Sequence, residues 1–136
     1  MRNSLNYTIF SGKNSTGIGS VISVKDFRHK ELVLATTGMG AGDSIVVQIQ
    51  GSFEQSAPNF GSARSASNLW DYIQVIDLED GAPIDGDTGV TFSDANDVKF
   101  FSINIDGLQW ISLNVTTVSD TVNTTVTGKI YLLNDN

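Results

Sequence analysis

Apolar and polar residues alternate one by one along much of this chain. Val98-Lys99-Phe100-Phe101-Ser102-Ile103-Asn104-Ile105 and Gln109-Trp110-Ile111-Ser112-Leu113-Asn114-Val115-Thr116 carry the pattern most clearly. A period of two marks a half-buried β-strand, because successive side chains leave a sheet on opposite faces. Leu5, Tyr7 and Ile9 predict a short first strand. Ser11 to Gly17 has the composition of a flexible connection. Strands are predicted over 18–24, 31–36 and 44–53, the last two forming a hairpin across the glycine-rich turn Gly38-Met39-Gly40-Ala41-Gly42-Asp43. An irregular loop over 54–67, broken by Ala57-Pro58, leads to a strand over 68–78. A turn-rich stretch over 80–97 follows, with a short strand at 89–92. The last third predicts a meander of 98–105, 109–118 and 122–133, its first turn at Asp106-Gly107, a strong hairpin signal. No window holds helical spacing for three turns. The prediction is a single-domain, all-β antiparallel β-sandwich or jelly roll of about eight or nine short strands. Residues 1–16 are read as an N-terminal strand or arm able to bind a partner, and residues 17–136 as the sandwich domain.

Composition narrows the function more than the fold. With 136 residues, 40% hydrophobic and 17% charged, the chain can bury one core without cross-links. A net charge of −7 and a sequence pI near 4.3 oppose unassisted contact with nucleic acid. There is no cysteine, hence no disulfide and no thiolate zinc site. The first ten residues lack the apolar run of a signal peptide, and no stretch is long and apolar enough for a membrane helix. Export, if it occurs, is expected through lysis or as part of a particle.

The candidate chemistry is sparse. Asp77, Glu79, Asp80, Asp85, Asp87, Asp94 and Asp97 form an acidic stretch with no Lys or Arg among them. Asp85-Gly86-Asp87-Thr88-Gly89 resembles the start of a calcium loop, making Asp85 and Asp87 a weak calcium pair. Gly89 and Asn96 stand where a further ligand and the closing Glu would be needed. Asx-type turns on a solvated face account for the same residues. Two of these carboxylates could in principle act as the acid and base of a glycosidase, but they sit on turns beside glycine and Pro83. The single histidine, His29, lies between Arg28 and Lys30 with no Gly-x-Ser-x-Gly elbow in the chain. Ser11-Gly12-Lys13-Asn14 fails the phosphate-loop pattern because Asn14 follows the lysine. Four Asn-x-Thr triplets, at Asn6, Asn14, Asn114 and Asn123, arise readily in Thr- and Asn-rich strands. Trp70 and Tyr72 share a face by parity, as do Phe101, Ile103 and Ile105. Exposed aromatics could stack on sugars, yet Trp70 and Trp110 are read as core or subunit-interface residues. No catalytic residue, metal or cofactor is assigned.

The run from Asn68 to Gly89, which reads WDYIQVIDLEDG from Trp70 and IDGDTG from Ile84, resembles small proteins encoded among the head genes of tailed bacteriophages, as does Asn104-Ile105-Asp106-Gly107-Leu108-Gln109-Trp110. Some of those are of the capsid decoration, or cement, type. The similarity extends over roughly residues 20–133. It implies a non-enzymatic virion protein on the outer capsid surface, made in the bacterial cytoplasm. The implied partners are the major capsid protein and two further copies in a homotrimer, with neither nucleic acid nor membrane. Leu5, Tyr7, Ile9, Phe10, Trp70 and Tyr72 are the interface candidates. The competing expectations are a host-recognition, glycan-binding fibre module and a tail or connector component.

Overall fold

Alternating β-branched and aromatic side chains become twelve strands in the computed structural model, which describes residues 3–134. Met1 and Arg2 of the expected arm, and Asp135 and Asn136 of the expected domain, lie outside the described residues. The strands are β1 (Asn3–Lys13), β2 (Gly17–Ile18), β3 (Ile22–Ser23), β4 (His29–Thr37), β5 (Ser44–Ser52) and β6 (Asp71–Tyr72). They continue with β7 (Val75–Asp77), β8 (Pro83–Ile84), β9 (Val90–Ser93), β10 (Val98–Ser102), β11 (Trp110–Val118) and β12 (Thr125–Asn134). One antiparallel sheet runs β1-β12-β4-β10-β7-β8. The other runs β2-β11-β5-β6, with β3 also on β11 and β9 also on β5. The expected antiparallel sandwich is the observed fold, with more and shorter strands than expected. Short breaks divide single sequence runs: 18–24 becomes β2 and β3, and 68–78 becomes β6 and β7.

The connectivity differs from the sequence expectation in an instructive way. β4 and β5 form no hairpin: β4 pairs with β12 and β10, and β5 with β11, β6 and β9. The last three strands form no meander either, since β10 and β12 lie in the first sheet and β11 in the second. Each connection arches over the end of the sandwich. A half-buried strand needs only to turn its apolar face inward, and either sheet satisfies that requirement.

The inward faces meet in one core. Leu32, Leu34, Phe101, Ile130 and Leu132 from the first sheet oppose Ile45, Val47, Ile49, Ile111, Leu113 and Val115 from the second, all essentially inaccessible to water. Each such side chain contributes about 1.5–3 kcal/mol of burial. Register shifts in β1–β12, at Thr8/Phe10 and Phe10/Lys13, and in β11–β5 tune this packing. The β1–β12 register shifts between Thr8 and Phe10, so the consecutive residues Ile9 and Phe10 are both buried. The β11–β5 shift, between Val115 and Thr117, brings Val118 opposite Ile45. Phe10 fits because Gly128 faces it across β12. A Cβ there would lie 2.6 Å from Leu113 Cδ1 and 3.1 Å from Phe10 Cε1.

Candidate functional site

The outward face of the second sheet carries polar side chains that are not left to solvent. By strand parity Gln48, Gln50, Ser52 and Ser112 should face solvent, yet all four are buried. For three of them the covers are the 53–70 segment and the 85–89 turn. Gln50 Nε2 donates to Phe60 O (2.9 Å), Ser52 Oγ to Leu69 O (2.7 Å), and Gln48 Nε2 to Gly86 O and Asp87 O (3.0 and 2.9 Å). Ser112 Oγ donates instead to Gly19 O and Ser20 O. The 53–70 segment is closed on itself by Asn68, whose Nδ2 donates to Asn59 O and Ala63 O, and by Trp70 Nε1, which donates to Ser62 O. An apparently irregular loop is thus a lid whose backbone carbonyls accept from the buried Gln50 amide nitrogen and Ser52 hydroxyl of the sheet.

The same segment contributes Phe60, Arg64 and Trp70 to an aromatic–charge cluster. Trp70 and Tyr72 meet edge to face with ring centroids 5.0 Å apart, and Phe60 tilts against Trp70 at 6.0 Å. The Arg64 guanidinium covers both rings, 5.7 Å from the Trp70 centroid and 5.1 Å from that of Tyr72. It is held in plane by Asp71 and, at 3.4 Å, by Asp87. The Tyr72 hydroxyl accepts from Asn114 Nδ2 at 2.9 Å. The shared face expected for Trp70 and Tyr72 is the observed one. Trp70 is enclosed by Phe60, Tyr72 and Arg64, so its ring offers no open platform to a sugar. It belongs to a satellite cluster outside the main core.

Beside this cluster an open groove of about 850 Å3 is lined by Phe53, Leu69, Trp70, Ile73 and Ile105, with Glu54, Arg64, Asp71 and Asp87 at its polar side. Phe53 and Leu69 stand 63% and 52% exposed on its rim. Sequence reasoning selected Trp70, Tyr72 and Asp87 but missed Phe53, Glu54, Arg64, Leu69, Asp71, Ile73 and Ile105 as neighbours. One signal was available: Arg64 is the sole Lys or Arg between Lys30 and Lys99.

Asp85 Oδ1 accepts the Asp87 N–H at 2.8 Å, and its carbonyl accepts from Thr88 and Gly89, an Asx turn on which the Asp87 carboxylate swings toward Arg64. Gly86 is required there, since a Cβ would lie 2.6 Å from the Tyr72 carbonyl. Asp77, Asp80, Asp94 and Asp97 likewise accept backbone N–H groups in their own or neighbouring turns. Among the described residues no group of three or more imidazole or carboxylate ligands could hold a metal ion. Ile9 and Phe10 are committed to this chain's own core, whereas Leu5 and Tyr7 are 44% and 40% exposed on β1. Trp110 is half-buried and its Nε1 donates to Glu54 O. His29 opposes Leu133 in the first sheet. Next to it, burial pushes the Lys30 ammonium below and the Glu31 carboxyl above their ordinary values; Asp106 partly offsets the first, Ser102 and His29 the second.

No family model and no curated protein matches the chain. Its fold is similar to that of solved structures. The SPBc2 prophage-derived protein YomS aligns over 98% of this chain and 95% of its own, with TM-score 0.61 and 16% identity. The PBSX exported protein XepA aligns over 97% of this chain but 38% of its own, with TM-score 0.66 and 15% identity. At these identities the likeness is one of fold.

Proposed function

We propose that this chain is a non-enzymatic structural protein of a tailed-phage particle, a decoration protein that binds the outer capsid surface and reinforces contacts between major capsid subunits. The observation that carries the reading is the fold shared end to end with the prophage-derived YomS. It adds to the phage-head resemblance of residues 68–89 and 104–110. The geometry supplies a means of attachment. β1 is an outer strand of the first sheet, paired on one side with β12. Its Leu5 and Tyr7 are exposed although they share the inward face of that sheet with their partners Leu132 and Ile130. A strand with one open edge and projecting apolar side chains can extend a neighbour's sheet or take a further strand itself. In a homotrimer three such edges act together, so modest contacts sum to firm occupancy.

Electron microscopy of particles made with and without this protein tests the reading, with density over the shell in the first case alone as the expected result. Sedimentation of the purified protein should give three copies. Particles with no added density would remove the proposal. Because Ile9 and Phe10 belong to the core, the edge is best probed by Leu5→Lys with Tyr7→Lys. These changes should abolish coating while leaving the unfolding transition in place.

A further inference from the structure

The groove beside the 53–70 lid has a composition that specifies an occupant. Its floor and rim are aliphatic and aromatic: Phe53, Leu69, Ile73 and Ile105, with the edge of Trp70. Two of these large side chains are more than half exposed, on a segment that the Asn59–Asn68 and Trp70–Ser62 hydrogen bonds otherwise hold firmly. Phe53 leans over the Asp106-Gly107 turn, its ring 3.9 Å from where a Gly107 Cβ would stand. Rigid display of apolar side chains at the mouth of a cavity marks a contact surface. The polar side carries three carboxylates, from Glu54, Asp71 and Asp87, against one guanidinium. That cation is already occupied by the aromatic rings and by Asp71 and Asp87. Both aspartates remain largely open to solvent. The groove is therefore apolar at its base and net negative along one wall.

We propose that this groove docks an extended, basic segment of a protein partner, seating one apolar side chain between Phe53, Leu69 and Ile105 while flanking Lys or Arg residues lie along Asp71, Asp87 and Glu54. Aliphatic walls and the enclosure of Trp70 disfavour a sugar, and the carboxylates repel an anionic lipid surface or nucleic acid. The inference deepens the coat-protein reading by stating the chemistry of the partner's contact segment. It rests on that reading only for where the segment resides.

The probe is a fluorescent seven-residue peptide with one central leucine flanked by lysines, titrated with the intact protein and followed by anisotropy. Binding should weaken with added salt, as a charge-assisted contact does. It should fall about tenfold or more in Phe53→Ser with Leu69→Ser, given the burial energy of one apolar side chain. Glu54→Gln, at an exposed site, should weaken the lysine peptide while leaving the unfolding midpoint unchanged. Peptides with glutamates for the lysines, or serine for the leucine, should not bind. Equal binding of the acidic peptide, or a lysine peptide indifferent to the Phe53 and Leu69 changes, would overturn the proposal, as would groove-dependent binding of neutral glycans or anionic vesicles. The two readings separate cleanly. A wild-type protein that binds the peptide yet coats no particle would sink the coat reading and leave the groove standing. A Phe53/Leu69 variant that coats particles as the wild type does would instead remove the groove as the docking surface.

Discussion

At the scale of single residues, two charged side chains show how burial decides behaviour. Glu31 stands on the outer face of β4, opposite Tyr131 and Ser102. Its Oε2 is buried with no partner. Burial raises its pKa, ahead of the Ser102 hydrogen bond and the His29 charge that lower it. A group whose folded-state value exceeds its unfolded one contributes stability that is complete below the unfolded value and lost as pH rises through the folded value. Ionised Glu31 therefore costs stability at neutral pH. Glu31→Gln should unfold at a higher temperature than wild type near pH 7, and thermal melts repeated near about pH 4 should show the gap closing. Arg64 presents the opposite case, a half-exposed cation with good partners. Exposed ion pairs are worth about 1 kcal/mol or less, so Arg64→Ala should barely move the global midpoint. Its expected signature is local: faster amide hydrogen exchange across residues 54–70, where the lid loses its clamp on Trp70.

At the scale of elements, the lid and the bulges do what periodicity does not announce. Residues 54–67 carry no alternation and read as a loop, which by backbone geometry they are. What the pattern concealed is that polar residues at outward positions are buried, Gln50 and Ser52 by the 53–70 segment and Gln48 by the 85–89 turn. Trp70→Ala should cost about 3–5 kcal/mol if the satellite cluster packs as tightly as a core, measured by denaturant unfolding. The bulge at Ile9 was invisible for a related reason. Two adjacent apolar residues break a period of two, and nothing local says whether the second is exposed or the backbone bends to bury both. Gly128 holds the complementary information, being the one position on β12 without a side chain opposite Phe10. Gly128→Val should destabilise by about 1–3 kcal/mol through overpacking against Leu113 and Leu34, and a lowered urea midpoint with unchanged slope would be the readout.

At the scale of the whole molecule, most connections cross from one sheet to the other, although β7 and β8 form a hairpin within the first and β5 pairs with β6 within the second. This arching places β10, β11 and β12 alternately in opposite sheets and brings residues 53, 69, 87 and 105, distant in sequence, to one groove. It also leaves β1, the earliest strand, on a sheet edge beside the last. Leu113, fully buried in the second sheet, packs against Gly128 from the opposite sheet. Leu113→Ala should cost about 2–5 kcal/mol and lower the temperature at which the whole chain unfolds in one transition, since both sheets share that core.

Alternation of apolar and polar side chains by itself determined that this protein is all-β, and the Asp and Gly residues of the acidic stretch that much of it folds into turns. Those properties are local: a strand's period and an aspartate's affinity for nearby backbone N–H groups act over a few residues. Which sheet each strand joins, the burial of Gln50 beneath Phe60, and the meeting of Arg64 with Trp70, Tyr72, Asp71 and Asp87 were decided by the tertiary structure alone. An amphipathic strand is equally content in either layer, and only simultaneous packing of all twelve selects the partner.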